Sequence, residues 1–193
     1  MRRKYGFVAA MLSVILLLSL GLTALYTGQE KGGKRAFKIV TSFFPMYVIA
    51  ENIVGDAAQV SLENLSEPKT GCLHDYQLTP ADMKLLSDAD VFIVNGGGIE
   101  SFLADVAAEY PKLQIISACG DIELLESGSE EGEHSHEEEG NAHAWMSVSR
   151  YMQLVDTVAG GLAAADTARA KLYNENAKAY RQRLLPLQKE MEA

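Results

Sequence analysis

The sequence predicts an α/β fold, a small and mostly parallel sheet flanked by helices and followed by a long helix. Three observations carry this. From residue 37 onward short apolar runs alternate with helical segments, the rhythm of strand–helix–strand units. "DVFIVNG" holds Val91, Phe92, Ile93 and Val94 without alternation, as a strand buried on both faces does. Beyond residue 146, Val148, Tyr151, Met152, Val155, Val158, Ala159 and Leu162 recur at the helical period.

Residues 1–28 stand outside this pattern. Arg2, Arg3 and Lys4 open the chain, and no charged residue follows between Tyr5 and Gln29. The stretch reads as a signal peptide or as an uncleaved anchor, because it has no polar face to present to solvent from a core helix. Residues 29–36 form a Gly- and Lys-rich linker. Export places Cys72 and Cys119 in an oxidising compartment, where they either remain buried thiols or pair.

The elements of the next region, residues 37–146, follow from local signals. "FKIVTSF" is a strand. "PMYVIAENIVG" is a helix with Pro45 in its first turn and Gly55 at its stop. "AQVSLENL" is a second strand. "TPADMKLLSDA" is a helix capped by Thr79, with Pro80 first and Asp82 third. "DVFIVNG", the helix "ESFLADVAAEY" and the strand "LQIISA" complete the unit. Residues 147–193 are expected to form the linking helix, with Ser147 as its cap and Asp166 able to cap a further helix. Leu172, Tyr180, Leu184, Leu187 and Met191 make a looser stripe there, and Pro186 should kink or shorten the helix. That stripe has nothing after it to cover it, which reads as a chain cut short of a further lobe.

Composition narrows the function. The 193 residues contain 17 Lys and Arg against 26 Asp and Glu, a formal charge of −9. Such a balance argues against a nucleic-acid or anionic-membrane surface and suits cation capture. In a parallel sheet the loops leaving the strands gather at one edge, where open α/β folds bind ligands. Those loops are residues 65–78, 95–99 and 118–146, and they hold all four histidines.

Each histidine has a different setting. Residues 130–139 carry six glutamates, His134 and His136, within a His/Glu-rich loop spanning 126–141 that has no apolar anchor. Its composition predicts a mobile segment whose imidazoles and carboxylates suit Zn²⁺ and related ions, though weakly, because binding must order the loop. The bland reading is a solvated acidic linker. His74, in "GCLHDYQLTP", sits before a capped helix with its ring able to face a cleft. Taken alone it is an ordinary surface residue, and Cys72 beside it is too little sulfur for a structural zinc site. His143, in "NAHAWMS", precedes a helix and neighbours the single tryptophan, Trp145, so it is held more firmly than His134 or His136. "NGGGIE" fails as a phosphate loop, since Ser101 follows where a glycine is needed and no Gly-Lys-Ser/Thr occurs. It reads instead as a tight strand-to-helix turn.

"GCLHDYQLTPADMKLLSDADVFIVNGGGIESFL" and "NAHAWMSVSRYMQLVDTVAGGLAAAD" resemble the two ligand motifs of the metal-binding proteins of ABC importers, the cluster A-I or zinc/manganese type. The acidic histidine-rich insertion between them is similar to that of zinc-uptake members. The resemblance spans residues 36–193. It implies the first lobe of a two-lobed metal-binding protein, with 37–146 as the N-terminal lobe, 147–193 as the linking helix, and the second lobe absent from this sequence. It further implies His74 and His143 as primary ligands, His134 and His136 as auxiliary collectors, Zn²⁺ as bound cargo with Mn²⁺ the alternative, and an ABC permease as partner. The expected setting is extracytoplasmic, the periplasm or the outer face of the cell membrane. Asn141-Ala142 stand where the family often has Asp-Pro, and no lipid-accepting cysteine follows the leader. The expected role is capture and delivery, not catalysis. Neutral imidazoles are required, so affinity should fall as pH drops through about 6.5. Two rivals stand beside it: a zinc-dependent hydrolase built on His74-Asp75, lacking any H-E-x-x-H, and an exported adhesion or interaction domain whose histidines are incidental.

Overall fold

A computed structural model of the chain describes residues 6, 11–23, 35–65, 73, 76–120, 122–123 and 141–191. The chain divides into two compact units, 1–35 and 36–193. In the first, residues 11–23 are helical. Among the described residues no helix is long and apolar enough to cross a membrane.

The second unit is an α/β lobe. Its strands β1 (Phe37–Thr41), β2 (Val60–Asn64), β3 (Val91–Val94) and β4 (Gln114–Ser117) form one sheet in the order β2-β1-β3-β4. All three pairings are parallel, with Ile39 opposite Leu62 and Val91, and Phe92 opposite Ile115. The helices are α1 (Phe44–Val54), α2 (Pro80–Ser87), α3 (Leu103–Glu109), α4 (Val148–Ala165) and α5 (Ala170–Met191), with a single 3₁₀ turn at Ala144–Met146.

β3 explains the layering. Val91 and Ile93 enter a core formed with Met46, Ile49 and Ile53 of α1 and Leu154, Val158 and Leu162 of α4. Phe92 and Val94 enter the opposite core, with Leu86 of α2 and Phe102 and Val106 beside α3. Successive strand side chains point to opposite faces, so four consecutive apolar residues serve two layers of helices at once. The step from β1 to β2 runs one way along the sheet with α1 on one face. The steps from β2 to β3 and β3 to β4 run the other way with α2 and α3 on the other face. All three crossovers therefore share one hand, as strand twist requires. The direction of winding reverses between β1 and β3, and their exit ends mark the switch point where such sheets take ligands.

Local signals placed most boundaries. Pro45 lies in the first turn of α1, and Gly55 stops it at φ 52°. Thr79 and Asp82 close a reciprocal capping box at α2, the Asp82 carboxylate accepting from the Thr79 backbone N–H at 2.7 Å. Ser147 occupies the cap position of α4 but makes no side-chain cap bond, its hydroxyl lying 3.0 Å from that of Ser149.

Within residues 147–193 the helices divide at Asp166, the position expected to begin a further helix. Two helices form, separated at Asp166, and α5 packs on α1 and α4. Asp166 ends α4 instead of capping α5. Its carboxylate accepts from Arg169 at 2.6 Å and from the Tyr173 hydroxyl at 2.9 Å, fixing the turn. Arg169 also donates to the Ala58 carbonyl, and Asn176 to the Ile53 carbonyl at 2.9 Å. The buried stripe of α5 is Tyr173 and Ala177, with Leu172 partly exposed. Pro186 does not shorten the helix, which continues to Met191. Leu187 and Met191 remain exposed on its last turns.

Candidate metal centre

The strand ends at the switch point carry a buried polar cluster. β1 is followed by Ser42 and β3 by Asn95 and Gly96, all buried. Glu100, only 4% exposed, turns back onto them. Its Oε1 accepts from the Ser42 hydroxyl at 2.8 Å and from the Asn95 N–H at 2.7 Å, and its Oε2 accepts from the Gly96 N–H at 3.0 Å. Burial raises the Glu100 pKa above its ordinary range, against the pull of these donors.

Glycine makes the turn possible. Gly96, Gly97 and Gly98 all have positive φ, and a Cβ on Gly96 would lie 2.1 Å from the Ser117 hydroxyl oxygen. The backbone amides of Asn95 and Gly96, which a phosphate loop would turn toward a ligand, are spent on Glu100. This gives a structural reason why "NGGGIE" is a turn and not a nucleotide cradle.

Asn95 ties the cluster to the loop of His143. Its side-chain NH₂ donates to the Gly96 carbonyl at 2.8 Å and, across 47 residues, to the Ala142 carbonyl at 2.9 Å. Ala142 and Ala144 are buried on either side of His143, which is itself exposed. The His143 ring faces Trp145 at 4.9 Å between centroids, and Trp145 packs edge-on against Phe43 at 5.0 Å. Trp145 is thus half-buried and fixes the loop's exit, although less enclosed than a core residue. Asn141 completes the setting: its Oδ1 accepts the His143 backbone N–H at 3.0 Å and lies 2.8 Å from the ring Nδ1.

His143 is therefore seated at the sheet's ligand-binding edge. His74, His134 and His136 lie outside the described residues, as does Cys72. Their described neighbours Leu73 and Tyr76 are packed, Leu73 fully buried and Tyr76 donating its hydroxyl to Asp82 at 3.0 Å. Burial and that carboxylate push the Tyr76 hydroxyl up to about 12. Among the described residues no three His, Cys, Asp or Glu side chains converge as a metal site. Cys119 is a free, buried thiol. Burial, then the Glu100 carboxylate, pushes it up to about 11, so it offers no thiolate at neutral pH.

Sequence reasoning missed the supporting residues. Ser42 meets Glu100 across 58 residues and Asn95 meets Ala142 across 47, distances that no local pattern discloses. Asn141 had a local signal, since an Asx side chain commonly binds backbone two residues on.

Comparison with known proteins gives the chain a family and its fold a set of solved counterparts. The family model described as "ZnuA: Zinc-uptake complex component A periplasmic" matches residues 39–193. The chain is 32% identical over 176 residues to the manganese-binding lipoprotein MntA of Halalkalibacterium halodurans, covering 91% of this chain and 55% of that protein. It is 31% identical over 183 residues to the zinc-binding lipoprotein AdcA of Streptococcus pneumoniae, covering 90% of this chain and 35% of that one. The crystal structure of Zn(II)-bound AdcA from Streptococcus pneumoniae superposes with a TM-score of 0.69 at 27% identity, over 80% of this chain and 32% of that chain. The chain thus spans roughly a third to somewhat over half the length of the proteins it matches.

Proposed function

This chain belongs to the ZnuA family of periplasmic zinc-uptake components, and from that membership we propose that it captures a divalent metal ion outside the cytoplasm and delivers it to an ABC permease. Zn²⁺ is the cargo this reading favours. His74 and His143 are the primary ligands, and His134 and His136 are auxiliary collectors on the acidic loop. Residues 1–28 direct the chain out of the cytosol. No covalent bond is made or broken. The chain offers imidazole nitrogens whose affinity for a borderline-soft ion supplies capture, and release follows when partner contacts change that geometry.

The observation that supports this most is the seating of His143. It stands at the edge where strands β1 and β3 end, exposed to solvent while both its chain neighbours are buried. An exposed imidazole on a rigid mount is what a binding protein needs, because a ligand that must first be ordered binds weakly. A second reading, Mn²⁺ as cargo, is favoured by the relative named as manganese-binding. Mn²⁺ prefers more oxygen donors than two imidazoles supply.

Zinc titration of the full chain by calorimetry tests the proposal. His74→Ala and His143→Ala should each weaken Zn²⁺ binding by at least about tenfold, and the double variant should weaken it further. A His134→Ala, His136→Ala variant should lose less. A His74→Ala, His143→Ala double variant that binds Zn²⁺ as tightly as wild type would overturn it. Tighter binding of Mn²⁺ than Zn²⁺ would transfer the cargo to manganese.

A further inference from the structure

We infer that Asn141 is a positioning residue that holds His143 as its Nδ1–H tautomer and so turns Nε2 toward the metal. The His143 N–H can only donate, so the Asn141 side-chain atom 3.0 Å from it must be the oxygen. That same oxygen lies 2.8 Å from the ring Nδ1. An amide oxygen can only accept, so the ring nitrogen facing it must carry the proton. In a neutral imidazole with a protonated Nδ1, Nε2 holds the lone pair. One oxygen thereby fixes both the backbone of the loop and the chemical identity of the ring's two nitrogens.

The ring's plane is fixed as well. Trp145 lies against it, and Trp145 is anchored on Phe43. From beneath, Asn95 holds the Ala142 carbonyl, which joins Asn141 to His143 in the chain. The two asparagines thus hold neighbouring groups of one peptide segment. Asn95 tolerates a cost in doing so, since its Oδ1 is buried and finds no hydrogen-bond partner among the described residues. Metal-bound histidines commonly donate their other ring N–H to an outer acceptor, and loss of that acceptor typically weakens metal binding about 10- to 100-fold. A neutral amide does this here without placing a charge beside the ion.

The tautomer part of the inference stands without the metal; only the consequence for affinity rests on the proposed function. Two measurements on the full chain separate them. In metal-free protein with ¹⁵N-labelled histidine, NMR of the ring nitrogens, assigned by their loss in His143→Ala, should show neutral His143 protonated at Nδ1. Asn141→Asp, which keeps the acceptor, should preserve that tautomer, and Asn141→Ala should abolish the preference. Titration with Zn²⁺ alone should show about 10- to 100-fold weaker binding for Asn141→Ala, rescue by Asn141→Asp, and no added loss when Asn141→Ala is combined with His143→Ala. A purely structural role for Asn141 would lower affinity equally with and without His143. Predominance of the Nε2–H tautomer in wild type overturns the inference. So does wild-type affinity in Asn141→Ala when His143→Ala is weakened. Unchanged affinity in His143→Ala overturns instead the ligand role of His143, and with it the metal consequence, whatever the tautomer.

Discussion

Glu100 shows how a single buried carboxylate can organise a site it does not enter. Three donors from two strand ends converge on it, and the glycine turn that delivers two of them brings Asn95 under the His143 loop. Because burial raises its pKa above the ordinary value near 4.5, the folded protein holds the Glu100 proton more tightly than the unfolded chain does. The stability this residue contributes is therefore fully present below the unfolded value and declines as pH rises through the raised folded value. Glu100→Gln cannot titrate, so subtracting its stability from that of wild type isolates the effect. Urea unfolding at about pH 4 and about pH 7 should show this difference larger at the acid end. A difference that grows toward neutral pH would mean that the donors outweigh burial.

Adjacent glycines in α4 make opposite predictions at the scale of the element. A methyl on Gly161 would meet Ile116 of β4 at 2.7 to 2.9 Å, whereas one on Gly160 would meet nothing within 4 Å. The helix thus lies against the sheet by virtue of one missing side chain. Gly160→Ala should stabilise the lobe by about 0.5–1 kcal/mol through helix propensity. Gly161→Ala gains the same propensity but forces Ile116 aside, at a cost of about 1–3 kcal/mol. Thermal or urea unfolding of the two variants checks the reversal of sign. The elements also show what a sequence can disclose. The box at Thr79 and Asp82 was legible because all its partners lie within four residues. The stripe expected on α5 was partly misread: Tyr180 does pack against the core, but Leu172 is exposed, and Tyr173 is buried with its hydroxyl satisfied by Asp166. Pro186 read as a kink or a shortening, but a proline late in a helix removes only local bonds and α5 runs through it to Met191.

For the molecule as a whole, residue types suggested the proposed metal chemistry, and the sheet shows which strand ends lie beside His143. His143 could be picked out from its neighbours in sequence. Trp145 beside it was legible too, but Asn95 was not, because it reaches the Ala142 carbonyl across 47 residues and a pattern of local periodicity carries no such distance. Both hydrophobic cores draw on residues from Phe37 onward. Removing residues 1–35 should therefore leave the urea midpoint of the lobe unchanged within about 0.5 kcal/mol, and its Zn²⁺ affinity unaltered. A large loss of stability in the shortened chain would show that the first unit takes part in the fold.

The parallel order of the sheet has one more consequence. Since every strand exits by the same rim, the connections on that rim can be lengthened, shortened or recoloured with donor atoms while the pairing of the strands stays as it is. Lengthening such a connection adds only slowly to the entropy of closing its ends. The scaffold is thus separable from its fittings: selection can change the donor atoms on the rim while leaving the sheet alone.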